Sequence, residues 1–127
     1  MFKIAKMRPL AERPLEYYVG TANETIVIGE ALVLSSGKLT KCGATVVPEF
    51  IAMGAAVGGK IPVVRVMEED TFEAPLSAAG TSLNVGDKVT LSGTGLEVTA
   101  TTASGVFTIT KINGTAIGDT VEGMFRR

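Results

Sequence analysis

A short pattern recurs three times along the chain: an apolar residue, glycine, an acid, any residue, then another apolar residue. The copies are Ile28-Gly29-Glu30-Ala31-Leu32, Val85-Gly86-Asp87-Lys88-Val89 and Ile117-Gly118-Asp119-Thr120-Val121. Glycine takes the positive φ of a tight turn, and an acid beside it can accept a hydrogen bond from a nearby backbone N–H. The residues after each acid alternate apolar and polar, the period of a half-buried strand. A chain punctuated in this way builds short strands between tight turns.

The rest of the chain agrees. Strand signals fall at 15–19, 25–28, 31–34, 38–41, 49–53, 61–67, 71–74, 88–91, 96–101, 106–112 and 120–125. Ser35-Ser36-Gly37-Lys38 and Asn113-Gly114 read as hairpin turns, the second as the strongest two-residue signal in the chain. Helical periodicity is nowhere sustained; residues 77–83 make one turn at most. The expectation is an all-β fold, a small β-barrel or β-sandwich (β-tulip-like). Its edges must be closed or covered. With 127 residues, the expected organisation is one β domain over 15–127, preceded by an extended arm over 1–14.

That arm holds Pro9, Pro14 and the apolar residues Phe2, Ile4, Met7 and Leu10. Its bases Lys3, Lys6, Arg8 and Arg13 stand against Glu12 alone, a net +3, whereas residues 15–125 carry six bases and twelve acids. A basic, apolar arm on an acidic body is expected to dock on another surface. It lacks the apolar stretch of a signal peptide, and no run reaches the roughly 18–20 residues of a membrane helix. The chain is therefore expected to make no membrane contact.

Catalytic chemistry finds little support. There is no histidine, the commonest general base and metal ligand, and Cys42 is the only cysteine. A lone cysteine forms no internal disulfide, fits a reducing compartment and, without a neighbouring base, reads as a passive small residue. Gly54-Ala55-Ala56-Val57-Gly58-Gly59-Lys60 has the glycine and lysine spacing of a phosphate loop. Ile61 stands where that loop needs a hydroxyl, and Pro62 with a β-branched run stands where it needs a helix. Glu68-Glu69-Asp70 reads as an acidic turn rather than a metal site. Basic residues are not interleaved with aromatics on any strand, which argues against a nucleic-acid platform. No enzyme, metal or cofactor is expected.

The run from Thr25 to Gly37, TIVIGEALVLSSG, continues into Lys38-Leu39-Thr40, then PEFIAMGAA at 48–56 and IPVVRV at 61–66. Across roughly residues 20–70 this resembles bacteriophage capsid decoration proteins, small head-stabilising or cementing proteins. The resemblance implies a structural virion protein made in the bacterial host cytoplasm and bound to the capsid exterior. It implies a homotrimer that contacts the major capsid protein and ties neighbouring capsomers together. The arm residues Phe2, Lys3, Ile4, Lys6, Met7, Arg8, Leu10 and Arg13 would carry that contact. Other readings are a tail or connector component, and a cytoplasmic β-barrel module for a small ligand or peptide.

Overall fold

The computed structural model describes residues 1–6 and 14–125. Its ten strands are β1 (Lys3–Lys6), β2 (Glu16–Val19), β3 (Ala31–Ser35), β4 (Lys38–Lys41), β5 (Phe50–Ala52), β6 (Lys60–Arg65), β7 (Thr71–Pro75), β8 (Lys88–Val89), β9 (Phe107–Ile112) and β10 (Thr120–Phe125). They form two five-stranded antiparallel sheets. Sheet A runs β1-β7-β10-β9-β8 and sheet B runs β2-β6-β5-β3-β4. The described residues contain no helix.

The repeated pattern sets where strands begin. In each copy the acid's N–H bonds the carbonyl three residues back: Glu30 to Val27 at 3.2 Å, Asp87 to Asn84 at 3.1 Å and Asp119 to Ala116 at 3.0 Å. The acid's carboxylate also accepts from the N–H of that same residue, at 3.4, 2.8 and 3.0 Å respectively. Gly29, Gly86 and Gly118 take φ of 82°, 99° and 91° at the third position, the geometry of a type II turn. The residue after each acid opens a strand, and the next side chain, Leu32, Val89 or Val121, is buried. A fourth turn repeats the bonding without glycine: Asp70 N–H to Met67 C=O at 3.1 Å and Met67 N–H to Asp70 Oδ2 at 3.2 Å. It opens β7, where Phe72 is buried.

Two hairpins follow glycine chemistry. Ser36 and Gly37, at φ 52° and 78°, join β3 to β4 in a two-residue loop of type I′. Gly58 and Gly59, at φ 60° and 80°, close the turn between Val57 and Lys60. The glycine-rich run is thus hairpin rather than phosphate loop. Asn113-Gly114 departs from expectation. The β9–β10 connection runs on to Asp119, because the Ala116-to-Asp119 turn starts β10 with Val121 opposite Ile112. Residues 25–28 and 96–101 also form no strand. The first leads into the Gly29 turn, and the second contributes only isolated bridges from Val98 to Leu76 and Leu91.

The sheets meet through Ala31, Ile51 and Val64 of sheet B and Phe72, Ala74, Val89, Phe107, Ile109, Val121 and Phe125 of sheet A, all within one core cluster. Sheet B is apolar on its other face too, where Leu32, Leu39, Phe50, Ala52, Ile61 and Val63 form a second cluster. That second face is protected because the sheet's two edges approach each other. Gly20 bridges Leu39, and Thr21 N–H bonds the Leu39 carbonyl at 2.9 Å. The bridge is a single one, so the sheet is not closed. The all-β expectation holds, and the arrangement is sandwich-like rather than a closed barrel.

The arm is met differently from expectation over residues 1–6. Lys3–Lys6 is an edge strand of sheet A, antiparallel to β7. Phe2 is only 2% exposed, and its ring lies 5.2 Å from Phe125 and 5.9 Å from Phe107. An aromatic this well buried belongs to the core; its transfer from water outweighs the entropy of a free tail.

Candidate functional site

The eight arm residues separate by role. Phe2 lies in the core and Ile4 packs against it. Lys3 and Lys6 instead line shallow depressions at sheet A's surface. Lys3 joins Met1, Glu73, Pro75 and Thr120, while Lys6 joins Glu69, Thr71, Thr110, Lys111, Glu122 and Met124. Met7, Arg8, Leu10 and Arg13 lie outside the described residues. The larger depression, about 460 Å³, is open and lined by mixed charge, with Lys111 Nζ 3.8 Å from Glu122.

The topology gathers the three glycine turns at one end of the molecule. Thr120, just after the Gly118 turn, pairs with Pro75, and Lys3 pairs with Glu73, so the chain start and the start of β10 share an end. Met1 packs where a Cβ on Gly29 would sit, and Phe2 N–H bonds the Gly29 carbonyl at 3.0 Å. The Gly86 turn joins because Gly86 N–H bonds the Ile109 carbonyl at 2.8 Å and β8 runs antiparallel to β9, whose Ile112 end pairs with Val121 at the start of β10. At the second position of each turn, its first corner, the side chain points outward and is aliphatic: Ile28, Val85 and Ile117 are 49%, 63% and 70% exposed. Val27 and Met1 add further exposed apolar surface there. The fourth turn opens β7, antiparallel to β10, so it lies at the opposite end; its corners are Glu68 and Glu69. The end with the glycine turns is therefore apolar at its tips, and the opposite end carries Glu68 and Glu69, with Lys6 lining a depression beside Glu69.

Sequence reading missed this end although its signal lay inside the repeated pattern. Ile28 reads as the end of a strand over 25–28, yet the place of each apolar residue in its turn leaves it in water.

Other reactive groups are occupied. Cys42 Sγ donates to the Val46 carbonyl at 3.0 Å, and burial pushes its thiol up to about 12, so it stays protonated. Glu16 accepts from Arg65 at 2.8 and 3.0 Å and from the Tyr18 hydroxyl at 2.7 Å. The Arg65 bonds, then that of Tyr18, hold the Glu16 carboxyl below its ordinary range. Arg65 also stacks on the Phe50 ring, 4.9 Å from its centroid. This cluster ties β2 to β5 and β6. Among the described residues no three His, Cys, Asp or Glu side chains gather into a group that could hold a metal ion.

No family model matches the chain, and no curated protein is similar to it in sequence.

Proposed function

We propose that this chain is a non-enzymatic structural protein of a phage virion. It binds the outer surface of an assembled capsid and cements neighbouring capsomers. The observation that carries this reading is the apolar end: three turns of one design, each presenting an aliphatic corner to water. Turn geometry does not require an apolar residue at that corner. Fully burying one such side chain gains roughly 1.5–3 kcal/mol, so covering the exposed half of each tip gains about 1 kcal/mol. The resemblance of residues 20–70 to decoration proteins supplies the partner, the major capsid protein.

A homotrimer multiplies that modest gain, since linked contacts raise avidity by about 10²–10⁴. The surface proposed for contact between copies is β2. The other three edge strands carry lysines, Lys3 and Lys6 on β1, Lys38 and Lys41 on β4 and Lys88 on β8, which discourage edge association. β2 has none, and Tyr17 and Val19 on it and Leu15 beside it are exposed.

The test is co-sedimentation with capsids built from the coat protein of the same virus and lacking this chain. Expected is saturable binding at a fixed number of copies per capsid and a higher capsid disruption temperature. No co-sedimentation rejects the reading. Binding of a small ligand or peptide in the depression at Lys6 and Lys111 would favour the binding-module alternative.

A further inference from the structure

Glu30 is an acid placed where water does not reach. It is 2% exposed. Its Oε1 accepts a long bond from Val27 N–H at 3.4 Å, and its Oε2 is buried with no hydrogen-bond partner. Asp87, half-buried, and Asp119, exposed, make the same turn bond at 2.8 and 3.0 Å, so the turn itself does not require a fully buried acid. The side chain is roofed by Gly95, where an added Cβ would lie 3.2 Å from Glu30 Cγ and 3.3 Å from Lys41 Cγ.

The backbone around Glu30 is a junction. Gly29 N–H bonds the Ala52 carbonyl at 2.8 Å, Ala52 N–H bonds the Glu30 carbonyl at 3.0 Å, and Ala31 N–H bonds the Gly95 carbonyl at 2.8 Å. The Gly29 carbonyl in turn holds Phe2 N–H at 3.0 Å, seating β1. A charge appearing on an unpartnered buried oxygen is strongly unfavourable, and the nearest relief is for this turn to open to water.

We propose that Glu30 is a proton-operated latch on the N-terminal strand. Neutral, it keeps the Gly29 turn closed on Phe2; ionised, it loosens the turn and weakens its hold on Phe2 and β1, so that they open more often. The latch belongs to the chain alone and stands whether or not the chain attaches to a capsid.

The groups facing Glu30 set the direction. Burial acts most strongly and raises its pKa; the Val27 N–H and Lys41 on β4 lower it; Glu24, on the β2–β3 connection, raises it. Glu24 is itself tied to the Thr40 hydroxyl at 2.8 Å and Lys41 N–H at 2.6 Å. On the Gly95 loop the charged group is Glu97, whose field acts on the Met1 amino group. A carboxyl raised in the folded state favours the closed latch below the ordinary carboxylate range. That contribution is lost as pH rises through the folded value.

The experiment is amide hydrogen exchange from pH 4.5 to pH 8, corrected for intrinsic rates, on wild type and Glu30→Gln. Expected in wild type is a fall of at least tenfold in Phe2 protection, with Val121 in β10 unchanged. Glu30→Gln should give a flat profile, and Asp87→Asn should retain the fall. Constant Phe2 protection in wild type, or the same fall in Glu30→Gln, overturns the latch. Direct NMR titration of the Glu30 carboxyl in wild type tests it without any variant. A midpoint above the ordinary carboxylate range supports the latch, and one at or below that range overturns it.

Discussion

Replacing Phe2 with alanine is expected to unfold much of what an appended arm would leave untouched. The ring is buried and sits among Phe107, Phe125 and, through Phe125, Phe72, with Phe72 and Phe125 5.4 Å apart. Removing a buried phenylalanine costs roughly 3–5 kcal/mol, the sum of lost transfer energy and the cavity left behind. Domains of this size are stable by about 5–15 kcal/mol, so the loss is a large fraction of the total. At about 3–5 °C per kcal/mol for a chain of this length, the melting temperature should fall by on the order of 10–20 °C. Urea unfolding should show a lower midpoint with an unchanged slope, the sign of a stability change rather than a changed denatured state. Lys3→Ala and Lys6→Ala, on the same strand but facing outward, should shift stability by no more than about 0.5 kcal/mol. A Phe2→Ala protein within about 0.5 kcal/mol of wild type would refute the placement and restore the picture of a detachable arm.

Gly118→Ala should cost about 1–2 kcal/mol through φ alone, since open space surrounds its Cβ position, and Gly29→Ala should cost more because the new methyl meets Met1; chemical denaturation measures both. Cys42 should resist thiol reagents in the native state at pH 8, reacting about a thousandfold more slowly than an ordinary thiol until the chain unfolds. The Glu16–Arg65 pair has a lowered carboxyl, so its contribution is present above the ordinary carboxylate range and lost as pH falls through the folded value. Being exposed, that pair should be worth less than about 1 kcal/mol in a double-mutant cycle and weaken with salt. Ile28→Ser, Val85→Ser and Ile117→Ser combined should leave melting nearly unchanged yet weaken capsid binding at least tenfold, about 1.4 kcal/mol; equal binding would move the contact elsewhere.

Local chemistry explains which parts of the fold were legible in the sequence. Strands announced by a glycine–acid turn or by β-branched runs, such as β3, β6 and β10, stand where the pattern puts them because turn and alternation agree. Residues 96–101 alternate equally well, yet reach only bridges through Val98. Alternation records a face to bury, not the presence of a neighbour long enough to form a ladder. β1 was hidden for the opposite reason. Lys-Ile-Ala-Lys has little strand signal, and its place depends on pairing with β7 some 65–70 residues later in the chain. The candidate site was half legible: its three turns were visible as a motif, but their meeting at one end is a property of strand order.

The Gly29 turn has two roles that its sister turns do not share. Its corner, Ile28, is one of the exposed tips, while its glycine carbonyl holds Phe2 and its acid is the buried Glu30. Gly86 and Gly118 have equivalent geometry, with a half-buried Asp87 and an exposed Asp119 in place of the buried Glu30. Loosening at Glu30 would therefore displace one tip of three together with the N-terminal strand, leaving the other two in place. An apolar contact made by all three should then weaken with rising pH while the core of sheet A remains folded. Its sensitivity should disappear in Glu30→Gln. Binding that weakens equally in that variant would separate attachment from the latch and leave each to stand on its own measurement.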